Sequence, residues 1–409
     1  LNAYSAALAM LNAIDKANSM KYEDIVNVLR NEYVATPLGI IKFDERGDII
    51  GSGFTMYQVV KGKFIDLKEG KEVTLASTLK KPGNDLKAAF VYVGPVGDGG
   101  WTYAHDLGRK YLESKGVKTT FVESVPEADS YRTIRNLAQN NDIVFTTSFG
   151  YMDPTIKVAN EFPNVTFMHC SGFKTAKNMG NYYGRMYQAK YLAGMIAGGM
   201  SKSNRIGIIG SHPISEVIRH INTFTLGVQT VNPDAEVQVL WINSWFDPAK
   251  EVEATNSLID NGADIIAITT DSAAPLQTAQ KRNVYSIGTD SDMFKFAPES
   301  HLTSSVYNWG VMYEDVYNKV INGTWKPSSE WWGLETGLVV LSPYNKLVPE
   351  ILQIQVDLKK EEISKGVRIF QGPITKQDGS NALKAGRVHS DQELLSMNYF
   401  VKGVIGDLP

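Results

Sequence analysis

The chain has 409 residues, 43% of them hydrophobic and 21% charged, and a formal charge of −3 at pH 7. It is long enough for two or three domains, and its charge gives neither a basic footprint for nucleic acid nor a polybasic patch for membranes. No apolar run approaches the roughly 18 residues of a spanning helix, and the single cysteine excludes an intrachain disulfide and a cysteine-based zinc site.

The opening "LNAYSAALAMLNAIDKA" reads as an amphipathic helix entered partway, without the layout of a secretory signal, so the chain reads as processed or truncated. A second helical pattern runs from Asp24 to Arg30. "TPLGIIKFDERGDIIGSGFTMYQVVKGKFIDL" then alternates apolar and polar residues around "DERGD" and "VKGK", which predicts antiparallel strands. Residues 1–70 are expected to form an extension, and the polar stretch 71–86, with Pro-Gly and Asn-Asp, a linker.

From about residue 87 short apolar strands alternate with helices. "KAAFVYVG", "TTFVES", "DIVFTT" and "VTFMHC" make one series, in which Cys170 reads as a small core residue. A second series holds "RIGIIG", "EVQVLWIN", "DIIAIT" and "VYSIG", and the long helix "YQAKYLAGMIAGGM" joins the two. Such alternation predicts two doubly wound parallel sheets. A further helix, the strand "GLVVLS" and a helix from Pro349 to about Lys365 follow "HLTSSVYNWG". Lobe 1 is assigned residues 87–185 with 305–332, and lobe 2 residues 186–304 with 333–409.

Open α/β sheets bind ligands at the carboxyl ends of their strands, which directs attention to the loops there. The first lobe offers Asp98, Trp101, Thr102 and His105 in "VGPVGDGGWTYAHDLGR", then Phe149, Tyr151 and Met152 in "FGYMDP". The second lobe offers Trp245, Asp271 and Asp290, and Asn308 and Trp309 return to the first. Aromatics and carboxylates recur at these ends, while cations are nearly absent.

The glycines of the first loop suggest a dinucleotide fingerprint, with Glu123 as ribose partner. The match is partial: Thr102 stands at the third glycine position, and Trp101 would crowd a pyrophosphate. No zinc-protease or nucleophile-elbow motif appears. The loops suit capture of a flat, neutral, hydrogen-bonding ring. Stacking supplies about 1–3 kcal/mol per ring, and each charge-assisted hydrogen bond about 1.5–3 kcal/mol. Neither a catalytic residue nor a cofactor is needed. Blander readings stand beside this one. Asp98 could only stabilise the turn, Asp290 and Asp292 could cap "MFKFA", and His105 could face solvent. Trp245 and Trp309 could be packing, as Trp325, Trp331 and Trp332 are expected to be. Arg185 is either a hinge ion pair or a ligand contact.

"AAFVYVGPVGDGGWTYAHDLGRKYLE", "FGYMDP", "YYGRMYQAKYLAGMIAG", "NSWFDPAKEVEA", "TDSAAPLQTAQ", "GTDSDMFKFAPESHLTSSVYNWG" and "GVIGDLP" together resemble the BMP (basic membrane protein) family over about residues 87–409. The resemblance implies a substrate-binding protein of an ABC importer, periplasmic or otherwise extracytoplasmic. Its fold would be the type I periplasmic-binding-protein fold, with three crossovers and a purine-like ligand in the cleft. It implies a membrane permease as partner, no nucleic acid and no inserted segment. Trp101, Phe149, Tyr151, Asp290, Asn308 and Trp309 match the family's ligand positions. Thr102 replaces an asparagine, and a lysine near Tyr307 is missing; both would serve a ribose, which favours a free base such as adenine over a nucleoside. The first 67 residues resemble the C-terminal segment of a leucine/isoleucine/valine receptor, so they are expected to stand apart from the cleft. A sensor module on the same fold and a nicotinamide-dependent oxidoreductase remain as alternatives.

Overall fold

A computed structural model describes residues 86–409 throughout. Before them it describes residues 10–11, 13–14, 16–17, 19–31, 34–36, 39–43, 49–50, 57–60, 63–66 and 72–73. The chain divides into two units, Leu1–Lys80 and Lys81–Pro409.

In the first unit a helix spans Tyr22–Asn31, with Glu23 and Asp24 in its first turn and Arg30 in its last, the charge order its dipole favours. Strand Gly39–Phe43 pairs antiparallel with Val34–Thr36 and Ile49–Ile50, and Tyr57–Val60 with Lys63–Asp66, as the alternation predicts. Glu72–Val73 adds a third strand to the second ladder, inside the stretch read as linker. The rest of that linker, residues 74–85, lies outside the described residues.

Beside a two-stranded ladder of Ile374–Thr375 and Asn381–Leu383, the second unit holds two large sheets among the described residues. The first runs Lys118–Val122, Lys87–Val91, Ile143–Thr146, Thr166–Cys170, Met179–Gly184 and Ser329–Trp332, all parallel. The second runs Val404–Ile405, Glu236–Trp241, Arg205–Gly210, Ile265–Ile268, Tyr285–Asp290, His301–Tyr307 and Val339–Leu341. Only its last pair is antiparallel. Successive strand residues face opposite sides, and the central strands are buried on both, while edge strand Lys118–Val122 is largely exposed. Phe90 and Phe145 pack with Tyr182, Trp309 and Tyr313 on one side of the first sheet. Val91 and Val144 pack with Ile134 and Phe167 on the other.

The chain passes between the sheets three times, at Arg185, at Asn308 and after Trp332. Strand His301–Tyr307 lies wholly in the second sheet, so the middle passage falls at Asn308 rather than at residue 305. Arg185 knits the hinge. Its Nε donates to the Trp331 carbonyl, its other nitrogens donate to both Asp391 oxygens at 2.9 and 2.7 Å, and its guanidinium lies 4.1 Å over the Trp331 ring. Arg185 is therefore a hinge ion pair, tied on all sides by protein. Helix Met186–Met200 packs tightly on Ser215–Val231: a Cβ at Gly194 would lie 2.1 Å from the Phe224 carbonyl oxygen.

Candidate functional site

The carboxyl-end loops of the two sets of parallel strands meet, and there the lobes touch. The Trp101 backbone N–H donates to Asp271 at 3.3 Å, and the Ser291 hydroxyl donates to the Gly99 carbonyl. At Gly100 a Cβ would lie 2.7 Å from Asp271 Cα and its carbonyl oxygen. The glycine loop thus admits the opposite lobe. The glycines that suggested a dinucleotide fingerprint instead let the loop approach Asp271.

This loop is held from within lobe 1. The Asp98 carboxylate accepts from the backbone N–H groups of Gly100, Thr102 and Tyr103 at 2.9–3.0 Å, starting helix Trp101–Ser114. Burial nonetheless holds its carboxyl above the ordinary aspartate range. Glu123, considered above as a ribose partner, accepts from the Val96 backbone N–H at 2.6 Å and braces the same loop. Thr102 is buried, and its hydroxyl oxygen accepts from Gly94 N–H at 3.2 Å.

Behind the loop stands an aromatic wall. Half-buried Trp101 donates its Nε1–H to the Thr147 carbonyl at 2.7 Å and meets Tyr307 and Trp309 edge-on at 5.6 and 5.7 Å. Trp309 is 1% exposed, stacked between His105 at 4.5 Å and Tyr307 at 4.4 Å. It lies a layer deeper than Trp101, inside the core of lobe 1. His105 is fully buried rather than solvent-facing; its Nδ1 shares a short hydrogen bond with the Tyr313 hydroxyl. Burial pushes its imidazole far below the usual histidine range, so it is neutral.

Three further first-lobe residues divide by side. Tyr151 is fully buried and donates to the Val125 carbonyl, which turns it to the sheet's other face and away from the aromatic wall. Met152 is buried with its sulfur at 3.5 Å from the Phe173 N–H. Phe149, 59% exposed, packs against exposed Phe173 at 6.5 Å on the surface. Asn308 donates to the Gly337 carbonyl at 3.3 Å beside the hinge.

Lobe 2 supplies the acids. Glu251, fully buried, accepts from Thr270 and Ser272 hydroxyls at 2.9 and 2.7 Å and fixes the loop bearing Asp271. Trp245, 43% exposed, accepts at its carbonyl from Asp271 N–H and sets its ring 5.0 Å from His212. Asp247 caps helix Pro248–Asp260 through Lys250 N–H. Asp292 accepts from Phe294 N–H, so it braces the "MFKF" turn. Asp290 ends its strand with φ at 63°, a left-handed conformation uncommon for a non-glycine residue. The structure shows one bond to its carboxylate, from the neighbouring Thr289 hydroxyl at 3.3 Å. Burial raises the Asp290 carboxyl above the usual aspartate range, against the opposing pull of Lys190. Asp271 is raised by burial and by the nearby Asp290 and Asp98 charges.

Two buried charges here were not singled out from the sequence. Glu251 sits within the amphipathic helix opened by "DPAKEVEA". Lys190 stands just before the apolar "YLAGMIAG" in helix Met186–Met200, and a charge abutting an otherwise apolar run was the available signal. Among the described residues no group of His, Cys, Asp and Glu could hold a metal ion, and no helix is long and apolar enough to cross a membrane.

Residues 86–371 match the family of PnrA-like ABC transporter substrate-binding proteins, Bmp. A purine-binding protein of Brucella abortus is 49% identical over 79% of this chain and 94% of its own length. A putative ABC transporter glucose-binding protein of Haloferax volcanii is 36% identical over 80% and 82%. Among solved structures, a solute-binding protein of an ABC transporter from Conexibacter woesei superposes with a TM-score of 0.62 at 23% identity, covering 69% of this chain and 97% of that one. One from Aeropyrum pernix reaches 0.60 at 18% identity, covering 71% and 93%. The two doubly wound lobes are those of type I solute-binding proteins. With its matched span, its hinge and its converging strand ends accounted for, this chain belongs to the Bmp family of ABC transporter substrate-binding proteins.

Proposed function

We propose that this protein is the extracytoplasmic receptor of an ABC importer, capturing a free purine base between its lobes and presenting it unchanged to a membrane permease. The observation that carries the reading is the pairing of Trp101, half-buried and backed by the aromatic layer of Tyr307 and Trp309, with an Asp290 carboxylate that keeps acceptor capacity to spare. A carboxylate has about four lone-pair sites and accepts only, so it seeks ring or amino N–H groups. The indole offers such a ring a face. Trp245 and Asp271 complete the lobe 2 side in this reading, and Phe149 and Asn308 border it. Asp98, Thr102, His105, Tyr151, Met152 and Trp309 then act by shaping the loop and wall. The name of the Brucella abortus relative supports a purine, and Thr102 in place of asparagine supports a base over a nucleoside.

Ligand that binds only the native state stabilises it by RT ln(1 + [L]/Kd), about 2.7 kcal/mol at a hundredfold excess over Kd. Adenine and related bases are therefore expected to raise Tm in a thermal-shift panel, while glucose and branched-chain amino acids leave it unchanged. A response to glucose alone would move the assignment to sugars.

A further inference from the structure

Lys190 is a buried cation beneath the carboxyl ends of two strands of the second sheet. It is 2% exposed, yet no carboxylate lies within ion-pair distance of it among the described residues. Its ammonium instead donates to the Ile268 carbonyl at 2.9 Å and to the Thr289 hydroxyl oxygen at 2.8 Å, tying together the ends of two adjacent strands. The Thr289 hydroxyl, its lone pair taken by Lys190, has its own proton to give, and it donates to Asp290 at 3.3 Å. The result is a relay from ammonium through hydroxyl to carboxylate. Burying an ammonium costs several kcal/mol unless its charge is put to use, so an ordinary apolar side chain would fill this position more cheaply.

The charges around Asp290 explain the use. Glu216 faces it from helix Ser215–Val231 and Asp98 from the glycine loop. Asp271 comes from the neighbouring strand end, and the Tyr307 hydroxyl from the strand beside it. His220, also close to Lys190, is held neutral by burial. Arg219, on the same helix as Glu216, offsets that carboxylate, and Lys190 is the cation that acts on Asp290 itself, so without it Asp290 would face Asp98 and Asp271 uncompensated.

We propose that Lys190 is a positioning residue which, through Thr289, keeps Asp290 an ionised, acceptor-only group, and thereby makes the cleft select purines that present an amino edge over purines that present an oxo edge there. This rests on the purine reading above. An ionised carboxylate accepts from an amino N–H and repels a carbonyl oxygen, whereas a protonated one donates to that oxygen. Burial already holds Asp290 above the usual aspartate range against the pull of Lys190, whose own pKa burial lowers in turn. Loss of the Lys190 charge is expected to lift it further, so that at neutral pH the carboxyl carries its proton and the selection fails.

The test compares wild type with Lys190→Met, Lys190→Arg and Asp290→Asn. Carbon-13 NMR of aspartate-labelled, ligand-free protein follows the Asp290 carboxyl, assigned by its loss in Asp290→Asn. Its midpoint is expected to rise by at least about one pH unit in Lys190→Met and to stay near the wild-type value in Lys190→Arg. Calorimetry with adenine and with hypoxanthine supplies the second readout. At neutral pH, wild type and Lys190→Arg are expected to prefer adenine by at least about tenfold. Lys190→Met is expected to lose that preference at neutral pH and to recover it at about two units higher pH. A purely structural role would weaken both purines equally at every pH, with an unmoved midpoint, and would overturn the proposal. If neither purine binds wild type, the purine reading and its selectivity fall together, while the NMR midpoint still decides the Lys190–Asp290 coupling.

Discussion

Trp101→Ala is expected to weaken base binding by about 1–3 kcal/mol, a loss of roughly five- to 150-fold, while leaving lobe 1 folded. Trp309→Ala is expected to do the reverse, costing about 3–5 kcal/mol of folding stability. The two indoles are only 5.7 Å apart, but they differ in what surrounds them. Trp101 is half-buried at the loop, with its N–H held by Thr147. Removing its ring leaves space that opens on the cleft. Trp309 is enclosed by His105, Tyr307 and, edge-on at 5.5 Å, Tyr182, so its removal leaves a cavity in packed interior. Calorimetric titration with adenine and urea unfolding of the ligand-free protein separate the two effects. Equal losses of binding, with stability unchanged in both variants, would mean that Trp309 also meets the ligand face to face.

Gly100→Ala is expected to hold the lobes apart. The new Cβ would lie 2.7 Å from the Asp271 carbonyl oxygen, a contact with backbone that has no rotamer to escape into. It would also press on the Trp101 N–H bond to Asp271. Contacts to both lobes exist together only in the closed form, so ligand can drive closure only by its preference for that form. Affinity is expected to fall by at least about tenfold, which is only about 1.4 kcal/mol. Solution scattering should show a larger radius for ligand-saturated Gly100→Ala than for saturated wild type. Unchanged affinity and radius would show that the loop shifts freely and that the interlobe contact is incidental to capture.

The doubly wound architecture was legible because strands buried on both faces read as continuous apolar runs, and helix and strand periods alternate without a break from residue 87 onward. The strand-end acids were legible for the same reason: the end of an apolar run locates the loop, and the loop locates Asp271 and Asp290. What a strand-end residue does with its side chain was not. An aromatic after a strand reads identically whether it stays half-buried at the loop, as Trp101 does, or packs into the core, as Trp309 and Tyr151 do. Depth depends on partners contributed by distant segments: Tyr313 holds His105 from a helix some 208 residues away. Glu123 looked like a ligand group because the Val96 N–H it accepts from lies 27 residues away in sequence, whereas the bonds of Asp98 to Gly100, Thr102 and Tyr103 are local and fit its turn-stabilising reading. The strand Ser329–Trp332 was missed because four residues after a Pro-Ser-Ser stretch carry no alternation, and its edge position comes only from pairing with Met179–Gly184. Lys190 was overlooked because an apolar helix tolerates one charge at its end by sequence rules. Only the strand ends of Ile268 and Thr289 give that charge a place.

On the proposed function, this protein holds a purine base between its lobes and releases it unchanged. Mass spectrometry of the small molecules released when the purified protein is denatured tests it most directly, before and after prolonged incubation with added adenine. The account predicts a purine base in the released fraction, adenine recovered with its mass unchanged, and no second product. Release of a sugar or an amino acid in place of a purine, or conversion of the added base, would contradict it.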